Sequence, residues 1–458
     1  MSNHRERALA YFEDHKEEII EKLTSFISIP SVSTDPEHAE DIKEAAHWLK
    51  NELTDLGMED VEVYPTPKHP IVFGQKTDAG DDAFTILIYG HYDVQPEDPV
   101  DEWDTEPFTP VLKGEELYGR GATDMKGQVI AALSAVQAIM ETGDLPLNVK
   151  ILIEGEEEIG GPNLGNFIQN HREMLACDFA LNPDTGMLAP DLPTITYALR
   201  GLAYFELRIF GPKQDLHSGL FGGAVHNPAQ VLSDLIAAMH DEKGKVTLPS
   251  FYEDVLPLEE EEREELSRLP LDETFYLEQT GAPALWGEEG YTPIERVGAR
   301  PTLEINGLYS GFIGEGSKTV LPSYAMAKIS TRLVPEQDPA QVGEQLERFL
   351  AENAPATVDW ELVQLASSPA SLSDRSSPWV KAYANAAETV WGKRPLFKRE
   401  GGSVPVVGEF QEYLGVDSVN IGFGLPTDNL HGPNEKLHLP TFKNGIRALI
   451  HFFFNLRR

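Results

Sequence analysis

The stretch GRGATDMKGQVIAALSAVQAIM, Gly119–Met140, sets one acid, Asp124, among three glycines and runs straight into an apolar segment. Val129, Leu133, Val136 and Met140 recur at helical spacing, so Gln128–Met140 reads as a buried helix. Glycine backbone takes tight conformations and approaches a ligand closely. A carboxylate at a helix entry also serves as a simple cap favoured by the helix dipole, and taken alone that is the plainer reading of Asp124. The rest of the chain overturns it by supplying two histidines and more carboxylates at the ends of apolar strands.

Upstream, Phe84–Tyr89 (FTILIY) is an unbroken apolar run ending in Gly90-His91-Tyr92-Asp93. Such a run reads as a strand covered on both faces. Downstream, Asn148–Ile153 leads into Glu154-Gly155-Glu156-Glu157-Glu158-Ile159-Gly160, a helix is expected over Leu164–Met174, and Asp178–Leu181 ends at Asn182-Pro183-Asp184. Strands alternating with helices indicate a largely parallel sheet, and ligands gather beyond the carboxyl ends of such strands. His91, Glu157, Glu158 and Asp184 all fall at that edge.

Further out, Ala8–Leu56 reads as two helices joined by the loop Ile29–Pro36, with Val61–Val63 and Ile71–Phe73 as short strands. From Leu192 the texture changes. Ile195–Phe210, Thr302–Ile305, Tyr324–Leu333 and Val358–Leu365 have strand content, and Asn227–His240 and Pro339–Asn353 read as helices, together a smaller α+β module inserted in the first. After Ser367 the chain returns, through a helix at Trp379–Val390 and a strand at Ser418–Ile421, to His431. The acid-rich segment Leu256–Leu269 has no functional reading.

At 458 residues two domains are the natural expectation. The balance of 37 Lys+Arg against 75 Asp+Glu, a formal charge of −38, argues against nucleic acid and anionic lipid as partners. No stretch approaches the roughly 18 apolar residues of a membrane span. The single cysteine, Cys177, excludes an intrachain disulfide and suits a reducing compartment. The opening MSNHRERALAYFEDHKEEIIEKL is a charged amphipathic helix without the apolar core of a signal peptide. The expected location is the cytoplasm.

His91, Asp124, Glu158, Asp184 and His431 form a donor set for a pair of divalent cations, with one carboxylate free to bridge them. Three carboxylates and one hydroxide nearly balance two such ions, whereas the same acids without metal would repel one another. Asp93, two residues after His91, is placed to hold the imidazole through a hydrogen bond.

These residues resemble the M20 metallopeptidases over nearly the whole chain. GHYDVQP (Gly90–Pro96), GRGATDMKG (Gly119–Gly127) and EGEEEIG (Glu154–Gly160) are similar to that family's first three motifs. DLHSGLFGG (Asp215–Gly223), GEGSKTVLP (Gly314–Pro322), REGGSVPV (Arg399–Val406) and HGPNEK (His431–Lys436) resemble its dipeptidase branch, the carnosinase-like and nonspecific dipeptidases. The resemblance implies an α/β fold of two domains. Residues 1–191 and 368–458 would form a mostly parallel-sheet catalytic domain with helices on both faces, and 192–367 an inserted α+β, ferredoxin-like lid and dimerisation domain.

It also implies two divalent ions per subunit, zinc or manganese with cobalt possible. Asp124 would bridge them, with His91 and Asp184 completing one site and Glu158 and His431 the other. Glu157 would be the general base and acid, and Asp93 an orienting catalytic residue. His217 would reach from the lid of a neighbouring subunit to the substrate carbonyl. Arg332 would clamp the terminal carboxylate, and Glu400 with Gly402 and Ser403 would contact the substrate. The expected activity is hydrolysis of dipeptides by a homodimer, with N-acyl amino acid deacylation or carboxypeptidase activity as the alternative. The branch usually carries a histidine where this chain reads Asp374-Arg375-Ser376-Ser377-Pro378-Trp379, which leaves side-chain preference open.

Overall fold

The computed structural model describes residues 2–80 and 82–457. The chain divides into two compact units, Met1–Tyr197 with Ser373–Phe397 and Val406–Arg458, and Ala198–Leu372 with Lys398–Pro405.

The first unit opens with helices α1 (Ser2–Ile27) and α2 (Ala39–Asp55). Its sheet includes β1 (Glu59–Tyr64), β2 (Ile71–Lys76), β3 (Thr85–His91), β4 (Asn148–Glu154), β5 (Phe179–Asn182), β6 (Thr194–Leu199) and the late strand Ser418–Asn420, and the segments Ser371–Leu372 and Leu396–Glu400 pair with β6. They lie in the order β1-β2-β4-β3-β5, then Ser418–Asn420, then β6. The four central strands run parallel, while β1, β2 and β6 pair antiparallel with their neighbours. The expected parallel sheet is therefore the centre of a mixed one. The link between β1 and β2 is too short for the crossover that a parallel pair needs.

Both β3 and β4 are buried almost throughout, and Lys150 within β4 is accommodated by donating to the Met174 and Ala176 carbonyls, both at 2.7 Å. A Cβ on Gly90 would stand 2.7 Å from Val129 Cγ2, so this glycine lets helix α3 (Lys126–Met140) lie close on the sheet. Tyr89, on the opposite face, meets the Phe410 ring and donates its hydroxyl to Glu154 Oε1 at 2.7 Å. Helix α3 is buried on nearly every side because α1 and the helix Leu439–Asn455 cover what the sheet does not. Its start is set by glycine. A Cβ on Gly127 would lie 2.2 Å from the Ala122 carbonyl oxygen. The cap position is Met125, with no side-chain hydrogen bond. Asp124 is not a helix cap, and its carboxylate is left for other work.

In the second unit, β7 (Gly201–Phe210), β8 (Thr302–Ser310), β9 (Tyr324–Leu333) and β10 (Asp359–Ser368) form an antiparallel sheet in the order β8-β9-β7-β10. Helices Pro228–Ala238 and Pro339–Asn353 each begin at a capping side chain, Asn227 and Asp338, followed by proline. They bury Val231, Leu235, Leu346 and Phe349 with Phe205, Leu207 and Ile329 in one core. The chain order strand–helix–strand–strand–helix–strand makes this a ferredoxin-like module. Ile195–Phe210, which reads as one stretch of strand content, is two strands broken at Arg200, whose Nε donates to the Gly401 carbonyl at 3.0 Å.

Candidate metal centre

Parallel register brings the ends of the central strands level, His91 of β3 standing opposite Glu154 of β4. The turn Glu157–Ile159 follows β4, and Asp184 follows β5 by two residues. Asp124 enters from the loop before α3, and His431 from the loop before the strand Lys436–His438. Two groups of donor atoms result, His91 with Asp124 and Asp184, and Asp124 with Glu158 and His431, each within 4.8 Å. Asp124 belongs to both.

Its two oxygens divide the work. Oδ1 lies 3.2 Å from His91 Nε2, and Oδ2 lies 2.9 Å from His431 Nε2. Glu158 Oε2 is 3.4 Å from His431 Nε2, and Asp184 Oδ2 is 4.0 Å from His91 Nε2. His91 is fully buried, and its Nε2, although 3.2 Å from Asp124 Oδ1, makes no well-directed hydrogen bond among the described residues. A buried imidazole nitrogen that faces two carboxylates without a well-directed hydrogen bond is the vertex that a divalent cation fills, so the donor set fits a metal pair.

The tautomer of His91 is constrained from behind. Its Nδ1 lies 3.0 Å from the Asp93 carbonyl oxygen and 3.4 Å from Asp93 Oδ1. The Asp93 carboxylate meanwhile accepts the amides of Glu157 and Glu158, at 3.2 and 3.1 Å. Asp93 thus ties the end of β3 to the acidic turn, and its main-chain oxygen makes the closer contact with the imidazole. Glu157 belongs to neither donor group.

Crowding sets the protonation. Burial, then the charge of Asp124, pushes Glu158 up to about 8, and burial with Asp124 pushes Asp184 up to about 6. Burial also raises Glu157 well above the usual carboxylate range, with Asp184, Glu158 and Asp124 adding to it. Burial alone would lower His91, but its contacts with Asp124 and Asp93 raise it. Burial likewise opposes ionisation of Asp124, but its two histidine partners hold it ionised.

Asp184 and Glu158 therefore bind protons more tightly folded than unfolded. Their contribution to stability is complete below the unfolded carboxylate range and is lost as pH rises through about 6 and then about 8. Cations would take the place of those protons. Melting the protein with and without manganese across pH 5.5 to 8 should show the metal-dependent gain in melting temperature widening with pH. A constant gap would refute this electrostatic account.

The other residues singled out from the sequence lie in the second unit. His217 is exposed, and its Nδ1 accepts from the Gly219 amide at 3.0 Å. Arg332 of β9 and Arg200 line a cavity of about 380 Å³ with Glu304, Arg296 and Trp286. Ser403 joins these arginines, accepting from Arg332 Nη1 at 3.0 Å and donating to the Arg200 carbonyl at 2.5 Å. Glu400 accepts from Lys398 Nζ at 2.7 Å and from the Gly401 amide at 3.1 Å. Gly402 has open space around its Cα, so it admits close approach.

Three supporting residues escaped sequence reasoning. Gln95 donates to Glu158 Oε2 at 2.7 Å, and its place within GHYDVQP was the available signal. Lys126 is fully buried, its ammonium directed at the Phe26 and Ile29 carbonyls at 3.1 and 2.6 Å. Glu435 lies buried beneath the Asp124 loop.

Residues 87–455 match the model of peptidase family M20/M25/M40. Among curated relatives, a Cys-Gly metallodipeptidase of Candida albicans is 33% identical, with 96% of each chain covered. A Beta-Ala-His dipeptidase of Homo sapiens is 30% identical over 98% of this chain and 92% of its own. Among solved structures, an M20 family metallo-carboxypeptidase of Sulfolobus solfataricus superposes with a TM-score of 0.86 at 33% identity, covering 96% of this chain and 99% of that one.

Proposed function

The chain belongs to peptidase family M20/M25/M40, and from that premise we propose that it hydrolyses the peptide bond of dipeptides at a pair of divalent cations. The observation that carries this reading is the sharing of Asp124 between two donor groups, with His91 Nε2 buried beside it and without a well-directed hydrogen bond. His91, Asp124 and Asp184 would hold one ion, and Asp124, Glu158 and His431 the other. Mixed carboxylate and imidazole donors suit zinc, manganese or cobalt. Bound there, the ions supply Lewis acidity toward the scissile carbonyl and lower the pKa of the attacking water.

The chain's own groups do the rest. Glu157, close to the donors but not among them, takes the water's proton and returns it to the leaving amine nitrogen. Asp93 holds both the His91 ring and the Glu157 amide, so acid and ligand keep a common geometry. Arg332 offers a planar guanidinium to the terminal carboxylate of the substrate, and Ser403 sets its angle. His217, from a neighbouring subunit, donates to the developing oxyanion. The His217 role requires a second subunit, so the reading includes a homodimer. No helix of the described residues is long and apolar enough to cross a membrane. With the single cysteine unpaired, a cytoplasmic enzyme is the reading we adopt.

A second reading, carboxypeptidase action on longer or blocked peptides, is favoured by the name of the Sulfolobus relative. The discriminating experiment reloads metal-free protein with zinc or manganese and compares Ala-Ala, N-acetyl-alanine and a blocked tripeptide. Metal-dependent turnover of Ala-Ala at least about tenfold faster than the others is expected. Faster cleavage of the blocked peptide would favour the carboxypeptidase, and turnover on none of them would remove the hydrolase reading. Sedimentation of the same samples at a monomer's mass would remove the homodimer.

A further inference from the structure

Glu435 stands four residues after His431 and is fully buried. Its side chain collects four donors, all from the loop that carries Asp124. Oε2 accepts from Arg120 Nη1 at 2.8 Å and from the Gly121 amide at 2.9 Å. Oε1 accepts from the Thr123 amide at 3.0 Å and from the Asp124 amide at 3.1 Å. The main chains are knitted alongside. The Gly119 amide donates to the Glu435 carbonyl at 2.9 Å, and the Thr123 hydroxyl to the Lys436 carbonyl at 2.7 Å. Arg120 is itself held, donating from Nη2 to the Pro96 carbonyl at 3.0 Å and lying over the Trp103 ring.

A buried carboxylate costs several kcal/mol in lost hydration unless its lone pairs are met, and here each oxygen has two donors. The consequence is directional. Three amides aimed at one carboxylate fix the peptide planes from Gly121 to Asp124, and so fix where the Asp124 side chain leaves the backbone. Because Glu435 sits on the His431 loop, the same contacts lock the two loops together. Their tips meet at 2.9 Å between His431 Nε2 and Asp124 Oδ2, although 307 positions separate them in the chain.

We propose that Glu435, with Arg120, is a positioning residue for the metal pair. It ligates neither ion but sets Asp124 and His431 in register, so both cation sites depend on it. This rests on the two-metal reading above.

The test uses cobalt, which reports coordination by its visible spectrum independently of turnover. In Glu435→Gln the volume is kept, the charge on the loop amides is lost, and the new amide nitrogen faces other donors. Removing an outer partner of a metal ligand commonly costs about 10- to 100-fold in affinity. The full-length variant should bind cobalt that much more weakly in calorimetry and show an altered d–d spectrum. Glu435→Asp, which keeps the charge but is one methylene short, should lose less. A role in general stability alone would lower the melting temperature of both variants but leave affinity and spectrum at wild-type values, and that result overturns the proposal. If Glu435→Gln does not fold, wild-type cobalt affinity in Glu435→Asp overturns it equally. Wild-type protein that takes up no cobalt would sink the two-metal reading itself and this proposal with it, an outcome distinct from an unaffected variant.

Discussion

Glu157→Gln is expected to lower kcat and kcat/KM together by about 10²- to 10⁴-fold, the usual contribution of a positioned proton carrier, while two metal ions stay bound. The argument begins with what Glu157 does not do. It shares no donor group with His91, Asp124, Glu158, Asp184 or His431. Its amide is fixed by Asp93 Oδ1 at 3.2 Å, so its position is set by the same residue that backs His91. Burial, together with Asp184, Glu158 and Asp124, raises its carboxyl well above the ordinary range. Cations held by those three acids would remove their repulsion, leaving Glu157 a buried carboxylate beside the ions, placed to accept a proton from water and to release it to an amine of higher basicity. The amide of glutamine keeps the shape and cannot carry the proton. Single-turnover kinetics beside metal analysis of the same sample decide the matter. Wild-type turnover dismisses Glu157 as the base, and loss of an ion would make it a ligand instead.

How much of this was legible in the sequence depends on whether the information was local. The runs FTILIY and NVKILI announced β3 and β4 because strands covered on both faces are predominantly apolar, Lys150 being the exception that finds buried carbonyl partners. The residues after those runs converge because parallel register levels the strand ends, so His91, the Glu157–Glu158 turn and Asp184 could be grouped from spacing alone. The antiparallel edges could not, since a short apolar stretch such as Ile71–Phe73 carries no mark of its partner's direction.

The helix start beside Asp124 was local information of a weaker kind, and the rest of the chain, not the stretch itself, spoke against a cap. Sequence shows an acid near a helix start, but not that the helix begins at Lys126 and that Asp124 points elsewhere. Long-range pairing was equally hidden. The acid-rich Leu256–Leu269 contains helix Glu260–Leu266, and its Glu262 is buried against Arg399, whose Nε and Nη2 reach Glu262 Oε1 at 2.8 and 2.6 Å. A run of glutamates ordinarily marks a solvated face, and nothing nearby in the chain reveals that one of them turns inward beside the Glu400–Ser403 loop. Glu435 was passed over on the same ground, because its donors lie more than 300 positions away.

The sharpest consequence of the shared aspartate is a pattern of metal loss. Asp184 and Glu158 each belong to one donor group, whereas Asp124 belongs to both. Asp184→Asn should therefore leave one ion bound tightly. Asp124→Asn, which removes the charge at the centre and leaves His91 and His431 without their anionic partner, should weaken both. Loss of both Lewis acids removes several kcal/mol of charge stabilisation, on the order of 10³-fold or more in turnover. Metal loss is separable from unfolding by a melting curve of the metal-free variant, because Asp124 precedes α3 and its backbone amide, which the substitution leaves in place, is the group that donates to Glu435. Metal content measured after dialysis should then read two ions for wild type and Glu157→Gln, one for Asp184→Asn, and none for Asp124→Asn. If Asp124→Asn kept one ion at wild-type affinity, the two sites would be independent. The carboxylate between the histidines would then be an ion-pair partner rather than a bridge.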